Sequence, residues 1–344
     1  MKLSFRLLTA LAAIGGVSTL LLGHQSAHSQ ITPRVVASYS VLCDLTEQIA
    51  QDTVDVTCLI EAGEDPHIYS ATPSDRRAIG FAHLVLYGGY GFEPNIIQMA
   101  ESTYGNTPLI AVSEVAVTEP LLGEVHDHGS HRERGAHGHH GHAHHGHAHH
   151  GEEGMSPDPH VWHDAENGIA IVRVIQEELS LISPENAEIY QANAEALIAQ
   201  LTQLDSWIQQ QVATVPESQR VLVTTHDALG YYANAYGIRI EAALASFSTE
   251  ARPSAADLRE LIDLVEDSNI PTVFIESTSN PGLIEAVSRE TDIGISEEPL
   301  YADSLGEAGT PAGTYTGMLM TNTCTIVTGL GGRCNEAAVQ AFLD

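Results

Sequence analysis

Short apolar runs alternate with amphipathic segments through the first third of the chain. Residues 34–38 and 54–60 are rich in valine and isoleucine, which favours strands, whereas residues 41–51 place apolar side chains at helical spacing. The same pattern predicts strands at 83–87 and 109–112, and helices at 73–79 and 92–101. This alternation predicts a parallel sheet whose strands are connected through helices.

The middle of the chain contains one long amphipathic segment. Its apolar stripe has spacings that alternate between four and three, and consists of Tyr190, Ala194, Leu197, Leu201, Leu204 and Ile208. This spacing predicts a single helix of about 25 residues that buries one side along its length. Ser183-Pro184-Glu185 precedes the stripe and Pro216 follows it, as is typical of helix boundaries.

The alternation of strand and helix returns after this segment. We expect strands at 220–224, 238–243, 272–275 and 293–296, and helices at 228–235, 254–268, 281–289, 313–330 and 335–342. The predicted fold class is therefore α/β, with two lobes that each contain a mostly parallel sheet flanked by helices, joined by one long rigid helix. The predicted boundaries are a signal peptide at 1–29, an N-terminal lobe at 30–183, the linking helix at 184–215 and a C-terminal lobe at 216–344.

The first residues have the pattern of a secretory signal. Lys2 and Arg6 precede an apolar stretch over residues 7–22, and Ala27-His28-Ser29 fits a cleavage site. The stretch is short for a membrane-spanning helix, and no cysteine precedes Cys43. We therefore expect an exported, periplasmic protein without a lipid anchor.

The four cysteines fit an oxidising compartment, where disulfides persist. Several pairings are possible. We favour the two local ones, Cys43 with Cys58 and Cys324 with Cys334, over four buried free thiols. Neither pair has the C-x-x-C spacing of a zinc ribbon or a redox site.

Acidic residues dominate the charge of the chain. Asp and Glu number 45 against 14 Lys and Arg, which gives a net charge of −31. This charge disfavours nucleic acid and anionic membranes as partners and favours metal cations. A role in solubility alone explains the acidity equally well.

A histidine-rich run lies within a predicted loop at residues 119–156. Twelve of the 25 residues from His126 to His150 are histidine, separated mainly by glycine and alanine. Such a run is typical of weak transition-metal binding, zinc above all, although a solvated linker or a tag is the alternative. The predicted auxiliary ligands are His137, His139, His140, His142, His144, His145, His147, His149 and His150.

Five histidines remain outside this run and the signal: His67, His83, His160, His163 and His226. His67 and His226 follow predicted strands, where open α/β sheets bind ligands, and prolines stiffen the approach to His160. We interpret His83 as structural and His163 as a solvated neighbour of the site. Three histidines with one carboxylate or water complete a tetrahedral zinc site.

Four motifs in order resemble the ZnuA/TroA-like proteins, the metal solute-binding subunits of ABC importers. They are Asp65-Pro66-His67, Asp158-Pro159-His160-Val161-Trp162, Thr225-His226-Asp227-Ala228-Leu229-Gly230-Tyr231-Tyr232 and Tyr301-Ala302-Asp303-Ser304-Leu305-Gly306. The resemblance covers nearly all of the chain after the signal. It implies two α/β lobes joined by a rigid helix, with metal held between them by His67, His160, His226 and Asp303, two ligands from each lobe.

The resemblance also bears on the metal and its fate. Manganese members typically have glutamate at the position of His226, and nitrogen in place of a hard oxygen favours zinc. We therefore expect a non-enzymatic, monomeric zinc-uptake subunit that delivers Zn²⁺ to a membrane permease by local ordering of its ligand loops. The alternatives are a manganese-binding subunit, a zinc buffer that relies on the histidine-rich run, and a zinc hydrolase in which water replaces Asp303 as fourth ligand.

Overall fold

The computed structural model describes residues 32–335 and residue 337, apart from 104, 125–154, 246, 251–253 and 268–269. The predicted signal peptide, the nine auxiliary histidines and most of the predicted helix at 335–342 lie outside the described residues. The observed architecture is two α/β lobes with parallel sheets flanked by helices, and a long helix between them, so the predicted fold class is confirmed. Within the described part of the chain, no helix has the length and apolar character needed to cross a bilayer.

The first lobe is built on a four-stranded parallel sheet. Its elements are β1 (Arg34–Tyr39), α1 (Ser40–Ala50), β2 (Asp55–Ile60), α2 (Pro73–Phe81), β3 (Leu84–Tyr87), α3 (Pro94–Ser102), β4 (Leu109–Ala111) and α4 (Val112–Ala116). The strand order is β2-β1-β3-β4. Because β1 is central and packed on both faces, its residues after Arg34 are all buried. The carboxyl ends of the strands face the same edge, from which the loop with His67 leaves β2.

A short ribbon interrupts the loop predicted at 119–156. Two antiparallel strands, β5 (Leu122–Glu124) and β6 (Met155–Pro157), pair on either side of residues 125–154. The loop predicted at 119–156 therefore contains a short strand near each end, which the prediction did not include. The reason is that backbone groups leaving a packed lobe find ladder partners in each other.

Two long helices follow, α5 (Ala165–Ile182) and α6 (Ala187–Val212). The apolar stripe of α6 is buried as its spacing predicts, and the helix contacts α1 in the first lobe and a helix of the second lobe at Tyr315–Gly329. The sequence analysis missed α5, whose buried side chains Ile171, Val172, Ile175 and Leu179 repeat at helical spacing. Because α5 packs along α6, the connection between the lobes consists of two helices in contact rather than one.

The second lobe repeats the alternation. Its elements are β7 (Val221–His226), α7 (Gly230–Tyr236), β8 (Arg239–Ala245), α8 (Ala255–Asp267), β9 (Thr272–Val273), α9 (Gly282–Thr291), β10 (Gly294–Ile295) and α10 (Tyr315–Gly329). The strands pair in parallel, β7 with β8 and β9 with β10. The backbone N–H of Phe274 donates to the carbonyl of Val223 at 3.1 Å, which connects the two ladders.

The main hydrophobic core continues from one lobe into the other. It runs from β1 and α1 through Trp162 and the α5–α6 pair to Tyr232 and Tyr315 of the second lobe, while a smaller core lies between β7, β9, α8 and α9. A continuous packed core resists hinge motion because interiors are close to crystal density. The exact lobe boundaries at residues 183 and 215 stay predictions.

Both favoured cysteine pairs are disulfide-bonded in the structure, and together they contain all four cysteines. The Cys43–Cys58 bond joins α1 to β2 with a Cα–Cα distance of 5.6 Å. The Cys324–Cys334 bond joins α10 to the segment that follows it, with a Cα–Cα distance of 5.1 Å. Each bond ties neighbouring elements, as local pairing implies.

Candidate metal centre

Four side chains from distant parts of the chain converge between the lobes. They are His67, His160, His226 and Asp303, and their potential ligand atoms all lie within 4.8 Å of one another. Each residue is at most 4% exposed. The structure thus brings together the four residues that the family resemblance implies, across up to 236 positions of sequence (303 − 67).

The distances between these atoms fit a small tetrahedral ion. Asp303 Oδ1 lies 3.2 Å from the Nε2 atoms of both His160 and His226, and 3.5 Å from Nε2 of His67. The Nε2 atoms of His67 and His160 are 3.3 Å apart. A tetrahedral ion about 2.0–2.1 Å from each ligand atom needs about 3.3 Å between ligand atoms. The donor set therefore suits a zinc-sized dication.

The two candidate ligands of the first lobe, His67 and His160, lie in separate turns of the same kind. In both Asp-Pro-His motifs the aspartate accepts the backbone N–H of the histidine two residues later, at 3.0 Å for Asp65 and His67 and 2.9 Å for Asp158 and His160. Asp158 Oδ1 also accepts from Nδ1 of His160 at 2.8 Å. This second bond places the proton of the neutral imidazole on Nδ1, so that Nε2 can offer its lone pair to a metal.

The two candidate ligands of the second lobe, His226 and Asp303, donate hydrogen bonds to, or accept them from, residues outside the centre. His226 is the last residue of β7 rather than the first of a loop, and its Nδ1 donates to the buried carboxylate of Glu276. Asp303 Oδ2 accepts from the hydroxyl of Thr278 at 2.8 Å. The hydroxyl of the neighbouring Ser304 accepts a hydrogen bond from the backbone N–H of Gly63 in the first lobe at 2.7 Å, which holds the Asp303 segment across the cleft.

Aromatic rings from both lobes lie against the centre. The Phe92 ring lies 4.9 Å from that of His67 and 4.7 Å from that of Trp162, and Phe247 lies 6.4 Å from His160. Phe92 is placed by a tight turn at 88–91, in which two glycines have positive φ. These rings exclude water and strengthen the electrostatic interactions at the centre.

Charges in the centre are strongly coupled. Burial lowers the pKa of His67. Burial also opposes protonation of His160 and His226, but neighbouring carboxylates outweigh it and raise the pKa of both, through Asp158 and Asp303 for the first and Asp303 and Glu276 for the second. Although burial opposes ionisation of Asp303, the histidines hold the pKa of its carboxyl well below the usual range. The metal-free centre therefore holds protons that an incoming cation must displace.

The other two lone histidines have different positions. His163 is fully buried, so the interpretation as a solvated neighbour is wrong. Its Nε2–H donates to the carbonyl of Ala302 at 2.7 Å, next to Asp303, and burial lowers the pKa of its imidazole to about 3. His83 is exposed and is not among the four grouped side chains, and its Nδ1 accepts the backbone N–H of Arg34 at 2.9 Å.

Sequence reasoning missed the outer layer of the centre. The repeated Asp-Pro-His motif is a signal for Asp158, because an aspartate two residues before a ligand can cap its backbone. Glu276 and Thr278 carry no such signal, since 50 residues separate Glu276 from His226 and 25 separate Thr278 from Asp303. Glu276 and Thr278 come close to the centre because the segment that follows β9 packs beside β7.

The chain matches known proteins along most of its length. The family described as "Zinc-uptake complex component A periplasmic" matches residues 35–329. The zinc-binding protein TroA of Treponema pallidum is 31% identical over 90% of this chain and 92% of its own length. A solved structure of the periplasmic zinc-binding protein TroA from Treponema pallidum matches with a TM-score of 0.75 at 30% identity, covering 88% of this chain and all of that one.

Relatives named for manganese match as well. The manganese-binding lipoprotein MntA of Halalkalibacterium halodurans is 31% identical over 86% of this chain and 88% of its own length. PsaA of Streptococcus mitis, named a manganese ABC transporter substrate-binding lipoprotein, is 27% identical over 90% of this chain and 92% of its own length.

The names of these relatives correct one prediction. MntA and PsaA are lipoproteins, which implies a lipid anchor, so the prediction of a protein without an anchor is wrong. That prediction rested only on the lack of a cysteine before Cys43, and a missing residue in one stretch is weak evidence about how a protein is held at a membrane.

The fold, the buried group of three histidines and one aspartate, and the matches over most of the chain agree with one another. The family is a transport component rather than an enzyme family. The chain therefore belongs to the ZnuA family of metal-binding components of ABC transporters.

Proposed function

We propose that this protein is the zinc-binding subunit of an ABC importer, with Zn²⁺ as its cargo and His67, His160, His226 and Asp303 as the four ligands. The observation that carries the proposal is the arrangement of three Nε2 atoms around one carboxylate oxygen, with separations of 3.2 to 3.5 Å between the oxygen and each nitrogen. Four protein ligands close a tetrahedron and leave no position for an activated water.

The chemistry of the donors supports zinc over manganese. Imidazole nitrogen suits zinc, whereas manganese favours oxygen donors in six-coordinate sites. Burial of all four ligands leaves little access for the waters that would complete such a site. The relatives are named for both metals, so the preference rests on the donor set of this chain rather than on similarity.

Delivery requires a partner that accepts the ion, and a membrane permease of the ABC type is that partner. The continuous core and the bonds from Ser304 to the first lobe oppose a wide opening of the cleft. Release therefore proceeds by local movement of the ligand segments rather than by rotation of the lobes. The protein acts as a monomer, and the histidine-rich run serves as an auxiliary, weaker zinc collector.

The experiment is chelator competition with Zn²⁺ and Mn²⁺ on the whole chain and on His226→Ala and Asp303→Ala. We expect one tight zinc site that beats manganese and is lost in both variants. His83→Ala is the matched control, because His83 is exposed and outside the centre, and it should retain that site. A second form with the nine auxiliary histidines changed to alanine separates a zinc buffer from an importer subunit.

The outcomes distinguish the alternatives. A tight zinc site that survives in His226→Ala but is lost with the auxiliary histidines would support a buffer. A tight site that prefers manganese would support a manganese-binding subunit. Either result contradicts the proposal.

A further inference from the structure

One short turn contacts both candidate ligands of the second lobe. It consists of residues 276–279, Glu-Ser-Thr-Ser, which begin three positions after the last residue of β9, and is called here the 276–279 turn. Glu276 is 1% exposed. The turn does not include any of the four candidate ligands. Its side chains form hydrogen bonds with two of them, Glu276 with His226 and Thr278 with Asp303.

Glu276 fixes His226. One of its oxygens accepts the backbone N–H groups of Thr225 and His226, each at 3.1 Å. Its other oxygen accepts from Nδ1 of His226 and from the Ser279 hydroxyl, the latter at 2.8 Å. A carboxylate with four donors cannot rotate without losing several bonds, so His226 is held with Nε2 toward the centre.

Thr278 fixes Asp303. Its hydroxyl donates to Oδ2 at 2.8 Å, whereas Oδ1 of the same carboxylate faces the three imidazoles at 3.2 to 3.5 Å. To offer both oxygens to one ion, the carboxylate would have to turn about its Cβ–Cγ bond. That turn would stretch or break the bond to Thr278, because Oδ2 would leave its donor.

We propose that Thr278 is a specificity-determining residue, which keeps Asp303 a one-oxygen ligand and thereby favours four-coordinate zinc over metals that take more oxygen ligands. One carboxylate oxygen and three nitrogens complete a tetrahedron. A second oxygen raises the coordination number and adds a hard donor, which suits manganese. This inference rests on the proposed function, since it concerns the same centre.

The test compares Thr278→Val and Thr278→Ala, which lack the hydroxyl, with Thr278→Ser, which retains it. Thr202→Val is a matched control, because the Thr202 hydroxyl donates to a carbonyl within α6. Each protein is the whole chain. Co²⁺ is the spectroscopic probe, since tetrahedral Co²⁺ absorbs far more strongly than five- or six-coordinate Co²⁺. The absorption of Co²⁺ in the cleft is obtained by subtracting the spectrum of the same protein with the additional substitution His226→Ala. Zinc and manganese affinities are measured separately by chelator competition.

We expect intense tetrahedral absorption in the unchanged chain, Thr278→Ser and Thr202→Val. In Thr278→Val and Thr278→Ala the absorption should weaken, and the ratio of zinc to manganese affinity should fall at least about tenfold. A tetrahedral spectrum with equal losses for both metals would overturn the inference, since Thr278 would then only stabilise the site.

A measurement on the unchanged protein tests the same point without variants. In a zinc-loaded crystal structure, one Asp303 oxygen should contact the ion while Oδ2 keeps its bond to Thr278. Both oxygens on the zinc would overturn the inference. If the Co²⁺ spectrum of His226→Ala is the same as that of the unchanged chain, the ion does not bind in the cleft. The proposed function itself then fails.

Discussion

Asp158 binds His160 twice, through the backbone N–H at 2.9 Å and through Nδ1 at 2.8 Å, with the same carboxylate oxygen. One aspartate therefore sets both the turn that presents the histidine and the direction in which its ring points. Two hydrogen bonds to one oxygen thus restrain a candidate ligand that lies outside any strand.

Removal of this support should weaken metal binding. Asp158→Ala should lower zinc affinity about 10- to 100-fold, because His160 loses the acceptor that orients its ring. Asp158→Asn, which retains a neutral acceptor, should lose less. The measurement is chelator competition, with Asp52→Ala on an exposed turn as control. Equal affinity in Asp158→Ala and the unchanged chain would contradict this role.

As the pH falls, metal binding should begin to weaken at a higher pH than it would if the histidines had the ordinary pKa of imidazole. The pKa values of His160 and His226 are raised, so both hold protons at pH values above about 6.5, the ordinary value for histidine. A metal must displace those protons, and affinity therefore falls as pH falls through the raised pKa values. Calorimetry in buffers of different ionisation heat at about pH 7 should detect proton release on zinc binding. Absence of release would contradict the prediction.

His163 should make the metal-free protein sensitive to acid. Burial lowers the pKa of His163 to about 3 in the folded chain, whereas the unfolded chain takes up a proton below about 6.5. The unfolded state binds more protons in that interval, so its stability relative to the folded state rises as pH falls from about 6.5 toward 3. His163→Phe should flatten this dependence in urea denaturation across pH, and His83→Phe should leave it unchanged.

His163→Phe should also lower the stability of the protein at neutral pH. Without the donor from His163, the carbonyl of Ala302 loses its bond next to Asp303. We expect the free energy of unfolding at neutral pH to fall by about 1–3 kcal/mol, the cost of a buried unpaired polar group. Unchanged stability at neutral pH would indicate that another donor replaces His163.

The Cys43–Cys58 disulfide should contribute to stability through its loop of 15 residues. Replacing both cysteines with serine should lower the free energy of unfolding by about 2–4 kcal/mol, because the unfolded chain gains conformational freedom. Urea denaturation measures this change. The same replacement at Cys324 and Cys334 serves as comparison, and its shorter separation of 10 residues should give an equal or smaller loss.

Local patterns predicted most of the elements but not all of them. The stripe from Tyr190 to Ile208 defined α6, since alternating spacings of four and three fit one helix face. The equally amphipathic α5 was missed, although its buried side chains follow the same rule. The β5–β6 ribbon had no pattern to reveal it, because strands of three residues are too short to show alternation.

The sequence by itself determined the α/β class, the linking helix and three candidate histidines, because each follows from the order and spacing of residues along the chain. The motif around Asp303 added a fourth residue only through resemblance to a family. The tertiary structure alone decided that Glu276 and Thr278 support the centre and that His163 is buried. These contacts join residues that are 25 to 139 positions apart in the sequence. Residues so far apart come into contact only when the strands and helices pack into one core.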